Sequence, residues 1–219
     1  MNSTVSPSAG MPAAQREATR QAASRQTASR QHQARVRPAT RAAGRMAAGT
    51  ARRFVTVASP LGPLTLTAEG GCLTGLYMDA QQYRPQKEAF GLPGDPAAEP
   101  FSAAAGQLAA YFAGRRAEFD LPLAPAGTEF QQRVWAALRA IPYGQTWSYG
   151  QLADMIGRPS AVRAVGLANG RNPIAVLIPC HRVIGSDGSL TGYGGGLERK
   201  RFLLDLERHA TPAHVGPVI

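Results

Sequence analysis

Cysteine is scarce in this sequence, whose 219 residues contain only Cys72 and Cys180. Two thiols cannot build a disulfide framework or a four-thiolate zinc site, so a reducing compartment is the better expectation. Long apolar runs are also lacking, because no stretch approaches the roughly 18–20 uninterrupted apolar residues that a membrane span needs. The sequence therefore excludes disulfide-rich scaffolds and membrane spans, and it predicts no membrane partner.

Lysine is absent from the first 53 residues, which carry ten arginines and a single acid, Glu17. This segment holds +9 of the formal net charge of +10, whereas the rest of the chain has 14 basic and 13 acidic side chains. With few large apolar side chains to bury, residues 1–53 are predicted to be a disordered Arg-rich tail. Three roles stay open: an arm that binds nucleic acid non-specifically, an organellar transit peptide, or an extension without a role, with Met46 as a later start.

An amino-terminal α/β domain is predicted over residues 54–124. Alternating apolar residues on both sides of a Pro-Leu-Gly-Pro turn predict a β-hairpin, and an Ala-rich segment that ends before Gly114 predicts a helix. A polar segment rich in proline and glycine lies between them and predicts a loop. The predicted strands cover 54–57, 64–67, 73–78 and 119–121, the loop covers 81–99, and the helix covers 101–112.

A second, largely helical domain is predicted over residues 125–210, with a flexible carboxyl tail at 211–219. Thr128 with Gln131 predicts a capping box at the start of a helix that Pro142 stops, and serines are expected to cap two short helices joined by a tight turn. Such a pair has the outline of a helix-turn-helix, which helical hairpins that bind nothing also share. The expected caps are Ser148 and Ser160, and the remaining predicted helices cover 149–156, 161–168 and 197–207.

The residues that carry chemistry gather around Cys180. A continuous apolar run at 174–178 predicts a buried strand that ends at Pro179 and presents the thiol at a turn. The thiolate is the nucleophilic form, and the neighbouring His181 and Arg182 are residue types that favour it. Adjacent side chains on an extended chain point to opposite sides, so the imidazole would need a water or a turned backbone to reach the thiol. A buried, inert cysteine is the alternative.

Four segments together resemble the O6-alkylguanine-DNA alkyltransferases, also called methylated-DNA–protein-cysteine methyltransferases. The segment that contains the cysteine reads Asn-Pro-Ile-Ala-Val-Leu-Ile-Pro-Cys-His-Arg-Val. The resemblance covers 128–209 and, more loosely, 54–125, and it is to a form without the zinc-binding regulatory module, since only Cys72 lies upstream. The four matching segments are 148–153, 163–166, 172–183 and 192–204.

The resemblance implies an α+β fold, with a small ribonuclease-H-like α/β domain followed by a helical, winged-helix-like domain that carries the helix-turn-helix and the cysteine. It also implies DNA repair by a single-turnover enzyme, in which Cys180 takes the alkyl group from O6-alkylguanine and is consumed. O4-alkylthymine is expected as a further substrate. The implied partner is double-stranded DNA containing O6-alkylguanine, and the protein is expected to be a monomer without metal or cofactor. The expected location is the bacterial cytoplasm, on the nucleoid, with an organelle or the nucleus as the eukaryotic alternative.

The same resemblance assigns catalytic roles to five residues. Glu207 would orient His181, which would deprotonate Cys180 through a water molecule. Asn172 would hold the turn that carries the cysteine. Tyr149 would donate a proton or a hydrogen bond to guanine N3, so that the base leaves without a full negative charge.

Binding of the damaged base implies a second set of residues. The base must leave the duplex to reach a recessed thiol, and Arg163 would fill the vacated stack while Ala164, Gly166 and Ala168 let the helix approach the minor groove. Some family members have serine where Gly194 stands, and the glycines at 194–196 suggest room for adducts larger than methyl. The implied substrate- and DNA-binding residues are Arg163, Tyr149, Val183, Tyr193, Gly194, Lys200 and Arg182.

Two other functional classes, a cysteine hydrolase and a simple DNA-binding protein, explain fewer features of the sequence. A cysteine hydrolase with a Cys180–His181 dyad would need an oxyanion hole and would turn over repeatedly. A simple helix-turn-helix protein would need base-reading side chains on residues 161–168, where only Arg163 is long enough. Neither explains the thiol, the helix and the glycine-rich loop at 185–196 together.

Overall fold

The computed structural model describes residues 51–210, so the predictions for the carboxyl tail and for all but three residues of the Arg-rich tail lie outside the described residues. The fold is α+β, as predicted, with a sheet in the first half and helices in the second. Three short 3-10 helices, at Lys87–Phe90, Pro159–Ala161 and Cys180–Arg182, interrupt the sequence of strands and helices. In chain order the strands and helices are β1 (Arg53–Val57), β2 (Leu64–Glu69), β3 (Cys72–Met78), β4 (Leu92–Pro93), α1 (Phe101–Phe112), α2 (Glu129–Leu138), β5 (Trp147–Ser148), α3 (Tyr149–Met155), α4 (Val162–Gly170), β6 (Val183–Ile184) and α5 (Leu197–His209).

A four-stranded sheet with the order β3-β2-β1-β4 forms the first half. The predicted hairpin is confirmed, because β1 and β2 pair antiparallel around the turn that contains Gly62 at a φ of +89°. The prediction of a plain loop at 81–99 is wrong in part, since this segment contains a 3-10 helix and β4. Strand β4 forms because the amides of Leu92 and Gly94 donate to the carbonyls of Arg52 (2.9 Å) and Phe54 (2.8 Å).

The outer edge of β3 is covered by two segments from farther along the chain. Leu73 exchanges backbone hydrogen bonds with Pro122 and Ala124, both at 2.8 Å, and the Leu76 amide donates to the Pro173 carbonyl at 2.8 Å. The strand predicted at 119–121 is wrong: these residues form no strand, and the pairing nearby is an isolated bridge between Leu73 and Leu123. Pro122 has no N–H to extend this pairing.

Side-chain caps start two of the helices in the second half. Thr128 and Ser148 both form complete capping boxes, which confirms their predicted role at the starts of α2 and α3. The predicted cap at Ser160 is wrong, because this residue lies inside the 3-10 helix and α4 begins after Ala161 without a side-chain cap. The indole Nε1 of Trp135 donates to the Ala168 carbonyl at 2.9 Å and so fixes α4 against α2.

One continuous apolar core runs through both halves. Leu66 and Leu76 of the sheet, Tyr111 of α1, Trp135 of α2 and Ile174 are each at most 2% exposed and belong to the same cluster. The sheet and the helices therefore support each other. Within residues 51–210, none of the helices has the length and apolar character needed to cross a membrane.

Candidate active site

The segment that leads to Cys180 is a tight buried turn. The prediction of a strand at 174–178 is wrong, although the predicted burial is confirmed. The Asn172 side chain holds the turn, because its Nδ2 donates to the Ile178 carbonyl at 2.8 Å and its Oδ1 accepts from the Ile174 amide at 3.0 Å. Val176 lies at the tip with a φ of +70°, in the left-handed region that a strand cannot contain.

Cys180 begins the 3-10 helix that follows this turn, and it is only 4% exposed. Its amide donates to the Ile178 carbonyl at 2.8 Å, and its carbonyl accepts from the Asn169 Nδ2 at 3.4 Å. Burial raises the pKa of the Cys180 thiol to about 11, although contacts with Asn172 and the charge of Lys200 oppose that rise. The sequence argument that its neighbours lower this pKa is therefore wrong for the free protein, in which desolvation dominates.

His181 and Glu207 form a completely buried pair. The imidazole Nε2 lies 2.9 Å from the Glu207 Oε1. Burial lowers the pKa of His181 below its usual value, so the imidazole is neutral at neutral pH. A carboxylate only accepts hydrogen bonds, so Nε2 carries the proton and Nδ1 carries the lone pair. That Nδ1 has no hydrogen-bond partner within the described part of the chain.

Arg182 does not face solvent, as a DNA-binding side chain would. Its Nε and Nη2 donate to the two Glu207 oxygens at 2.8 and 2.9 Å, and its Nη1 donates to the Ile141 carbonyl at 2.7 Å. Its guanidinium also lies over the Tyr143 ring, 5.7 Å from the centroid. The predicted role of Arg182 in DNA binding is therefore wrong: the bidentate pair turns the side chain into the protein.

Two more groups hold the Glu207 carboxylate, and the sequence analysis missed both. The Tyr111 hydroxyl donates to Oε1 at 2.7 Å, and the Gly144 amide donates to Oε2 at 3.0 Å. Burial works to raise the pKa of Glu207, but the hydrogen bonds and charges of His181 and Arg182 outweigh it and hold the pKa well below its usual range. Tyr111 occupies an apolar position of α1, so its sequence context indicates only a core aromatic residue.

Lys200 lies on α5 with a fully buried side chain. Its Nζ donates to the carbonyls of Val183, at 2.6 Å, and Thr191. Burial lowers the pKa of Lys200 to about 8, while the nearby Cys180 acts in the opposite direction. Lys200 therefore holds the backbone of Val183, a residue that the resemblance assigns to substrate binding.

Tyr149 opens α3 and reaches across to the glycine-rich loop. Its hydroxyl lies within hydrogen-bond distance of the Thr191 carbonyl (3.1 Å) and the Gly192 carbonyl (3.2 Å). A Cβ on Gly192, which has a φ of +53°, would lie 2.8 Å from that hydroxyl, so glycine is required there. Burial raises the pKa of Tyr149, which keeps the phenol protonated and able to donate.

The next residues of this loop, from Tyr193 to Gly195, are closely packed. Tyr193 is 8% exposed, and burial raises the pKa of its phenol well above the usual value. A Cβ on Gly194 would lie 3.2 Å from the Gly170 carbonyl oxygen, and one on Gly195 would lie 2.6 Å from the Met78 sulfur. The structure thus gives Gly194 and Gly195 a packing role, whereas a Cβ on Gly196 would meet nothing within 4 Å. Room for adducts larger than methyl at 194–196 stays a prediction.

Helix α4 presents an exposed face beside the site. Arg163 is exposed, and Leu167, one turn later, has 59% of its surface exposed. Between them lies Gly166, where an added Cβ would lie 3.7 Å from the Tyr149 ring. Ala168 points into the core, so its predicted part in close approach to DNA is wrong.

Taken together, these residues combine a recessed nucleophile with a neutral base on the adjacent residue of the chain. The thiol of Cys180, the lone pair on His181 and the hydroxyl proton of Tyr149 supply a nucleophile, a base and a donor within one part of the fold. Among residues 51–210, no group of three or more His, Cys, Asp or Glu side chains could hold a metal ion.

Two family models match most of the chain. Residues 53–125 match the ribonuclease-like domain of 6-O-methylguanine DNA methyltransferase, and residues 129–209 match its DNA binding domain. A methylated-DNA–protein-cysteine methyltransferase from Mycobacterium tuberculosis is 59% identical over 160 residues, which is 73% of this chain and 94% of that protein. The protein of the same name from Methanosarcina barkeri is 51% identical over 155 residues, with coverages of 70% and 95%.

Solved structures give the same result. The fold is similar to the crystal structure of Mycobacterium tuberculosis O6-methylguanine methyltransferase, with a TM-score of 0.67, 57% identity, and coverage of 75% of this chain and 97% of that one. A structure of the Mycobacterium tuberculosis protein in complex with DNA has a TM-score of 0.66 at 57% identity, and covers 74% of this chain and 96% of that one.

Proposed function

The chain belongs to the 6-O-methylguanine DNA methyltransferase family, and from this premise we propose that it repairs O6-alkylguanine in DNA by transferring the alkyl group to its own Cys180. The transfer is stoichiometric, and each molecule reacts once. The observation that carries the proposal is the buried Cys180 thiol next to His181, whose Nδ1 is unpartnered among residues 51–210. A thiolate suits attack on a saturated carbon, because sulfur is a soft and strong nucleophile.

The thiol proton leaves through the imidazole. Among residues 51–210 no hydrogen bond joins the Cys180 sulfur to the His181 ring, so a water molecule passes the proton from the sulfur to Nδ1. The imidazolium that forms keeps its Nε2–H on the Glu207 carboxylate, 2.9 Å away. Because that carboxylate stays ionised, it stabilises the new positive charge as it forms.

Transfer itself exchanges one bond for another. The sulfur lone pair of Cys180 attacks the alkyl carbon, the bond from that carbon to guanine O6 breaks, and its electron pair stays with the guanine. The Tyr149 hydroxyl gives up its carbonyl contacts in the glycine-rich loop and donates to guanine N3. The guanine anion gains one proton, through Tyr149 or from water, and the His181 imidazolium releases the proton that it took from the thiol. The products are therefore S-alkylcysteine and neutral guanine, and no further reactant is needed.

Double-stranded DNA is the proposed partner. The relative that is solved in complex with DNA supports this part of the proposal. The thiol is recessed, so the damaged base turns out of the duplex to reach it. Arg163 on the exposed face of α4 then enters the space that the base leaves.

The remaining parts of the proposal follow from the family resemblance. The protein acts as a monomer, in the cytoplasm on the bacterial nucleoid. O4-alkylthymine is a second substrate.

Intact-mass spectrometry with peptide mapping tests the proposal. The full chain is mixed with excess duplex that contains O6-methylguanine, and we expect each molecule to gain one methyl group on the peptide that contains Cys180. Cys180→Ser should gain none, whereas Cys72→Ser, which removes the other thiol of the sequence, should react like the wild-type protein. An unmodified wild-type protein would contradict the proposal, and so would loss of the lesion without alkylation of the protein or methyl transfer to Cys72.

A further inference from the structure

One contact to the buried cluster of His181, Arg182 and Glu207 comes from the ribonuclease-like half of the chain. Tyr111 belongs to α1, its side chain is fully buried, and its hydroxyl donates to Glu207 Oε1 at 2.7 Å across 96 positions of sequence. The ring is held independently of that hydrogen bond. It packs against Phe112, Phe119 and Tyr143 with centroid separations of 5.4, 5.2 and 6.1 Å.

The Tyr111 hydroxyl shares its acceptor atom with the imidazole. Glu207 Oε1 also accepts from His181 Nε2 and from Arg182 Nη2, whereas Oε2 accepts from Arg182 Nε and the Gly144 amide. A buried carboxylate with each oxygen fully occupied has one orientation, and the imidazole that it holds has one orientation too. The hydroxyl therefore touches the same atom that orients the proposed base.

We propose that Tyr111 is a positioning residue for alkyl transfer, which acts through Glu207 to fix the direction and the proton affinity of the His181 imidazole. This inference rests on the proposed function. It gives the ribonuclease-like half a part in the reaction, since a side chain of α1 completes a cluster that otherwise comes from the second half. The alkyl group and the transferred proton never touch Tyr111.

The consequence for proton affinity has a definite sign. A donated hydrogen bond spreads the negative charge of Glu207, so its removal concentrates that charge beside His181 and strengthens the hold of the imidazole on a proton. The other titratable or charged groups that act on this pair are Arg182, Lys200 and Tyr143, and the first two lower the pKa of His181. Cys180 acts on Lys200. Because transfer needs neutral His181, loss of the hydroxyl moves the acidic limb of the pH–rate profile to higher pH.

Tyr111→Phe is the variant that isolates the hydroxyl, because the ring keeps its aromatic packing. Single-turnover transfer from a saturating O6-methylguanine duplex should slow about three- to tenfold, which is part of the factor that a general base supplies. The acidic midpoint should rise by about half a pH unit, and the dissociation constant for DNA should stay the same. Tyr77→Phe is the matched control, because Tyr77 lies on β3 and its ring stacks on Phe90 of the first 3-10 helix. This substitution should leave all three quantities unchanged.

A double-mutant cycle with Glu207→Gln separates positioning from a general loss of stability. If Tyr111 acts through Glu207, Tyr111→Phe should slow transfer less than twofold in the Glu207→Gln background. Equal slowing in both backgrounds would overturn the proposal. An unchanged rate and midpoint in the single variant would overturn it as well.

An NMR titration of the His181 ring nitrogens measures the effect of the Tyr111–Glu207 hydrogen bond on the protonation of the imidazole, and it needs no alkyl transfer. Its midpoint should rise in Tyr111→Phe and stay in place in Tyr77→Phe; a midpoint that does not move would overturn the inference. A wild-type protein that transfers no methyl group to Cys180 would instead refute the proposed function. The two failures are therefore distinguishable.

Discussion

At the scale of single residues, the burial of Cys180 separates two ways of making the reactive thiolate. With a pKa of about 11, only about one thiol in a thousand is ionised at pH 8 in the free protein. If transfer drew on that small population, its rate would rise about tenfold per pH unit up to pH 10. If His181 removes the proton during the reaction, the rate depends instead on the neutral imidazole, whose pKa is below its usual value.

We therefore expect the single-turnover rate of transfer to change much less than tenfold per pH unit from about pH 7 to pH 9, because His181 is already neutral over that range and the group beside Cys180 that titrates there is Lys200, with a pKa of about 8. Rapid-quench measurement on an O6-methylguanine duplex tests this. His181→Asn should be slower by about 10²- to 10⁴-fold, and its remaining rate should increase with pH. A tenfold rise per pH unit in the wild-type protein would show that the imidazole is not the base.

Arg182 offers a second test at this scale, because its burial predicts a role in stability. Arg182→Ala removes two hydrogen bonds from Glu207 and leaves its charge buried, and we expect it to lower the free energy of unfolding at pH 7 by about 3–5 kcal/mol. The loss should shrink in acid. The lowered pKa of Glu207 contributes stability that is present above its unfolded value of about 4.3 and is lost as pH falls through that value towards the folded pKa.

Urea unfolding at pH 7 and at pH 4, followed by tryptophan fluorescence, measures this difference. Unchanged stability together with weaker DNA binding would restore the interpretation of Arg182 as a DNA contact.

The sequence indicates some site residues and hides others for a physical reason. Cys180 and His181 are recognisable because their chemistry lies in their own side chains and in their position after an apolar run. The contact of Tyr111 with Glu207 depends on how α1 and α5 pack, which no local pattern reports. The sequence analysis assigned Arg182 to DNA binding for the same reason. An arginine beside a reactive cysteine suggests a ligand contact, and only the structure shows that its partner is the buried Glu207.

At the scale of secondary-structure elements, a substitution on helix α4 tests the proposed DNA interface. Arg163 is exposed and Trp135 fixes the opposite face of this helix to α2. Arg163→Ala should slow transfer from duplex about tenfold or more, because unstacking of the base loses its support. Transfer from O6-benzylguanine as a free base should stay within twofold, since that substrate needs no base flipping.

Arg115→Ala is the matched control for Arg163→Ala, because it removes the same charge from an exposed position after α1. It should slow neither reaction. Both rates are read from the formation of alkylated protein. Equal slowing of the two substrates by Arg163→Ala would place the side chain in the chemistry and contradict the base-flipping role.

Elements with local signals were predictable, and those built on distant contacts were not. The β1–β2 hairpin and the caps at Thr128 and Ser148 follow from neighbours in sequence. The segment 174–178 has the composition of a buried strand, but the Asn172 side chain supplies the hydrogen bonds that a partner strand would have supplied. β4 exists only because its two residues meet β1, forty positions away, in parallel.

At the scale of the whole molecule, the two halves depend on each other. The edge of β3 that does not pair with β2 is covered by residues that lead into α2 and into the turn before Cys180. The same core contains residues of both halves. The reactive turn is therefore attached to the sheet by its backbone at Pro173 and to α1 through Glu207.

Charge is distributed unevenly over the whole chain, and this gives the last prediction. Eight arginines between Arg16 and Arg45 lie in a segment that contains one acid, and each arginine that neutralises a phosphate adds about 0.9 to the slope of log K against log salt. Deletion of residues 1–45 should leave transfer from free O6-benzylguanine unchanged and flatten the salt dependence of DNA binding, as measured by fluorescence anisotropy. A full-length chain with those eight arginines replaced by glutamine should match the deletion, because charge and not length is responsible. An unchanged slope would show that the segment does not contact DNA, whereas loss of transfer from the free base would contradict its prediction as a disordered tail.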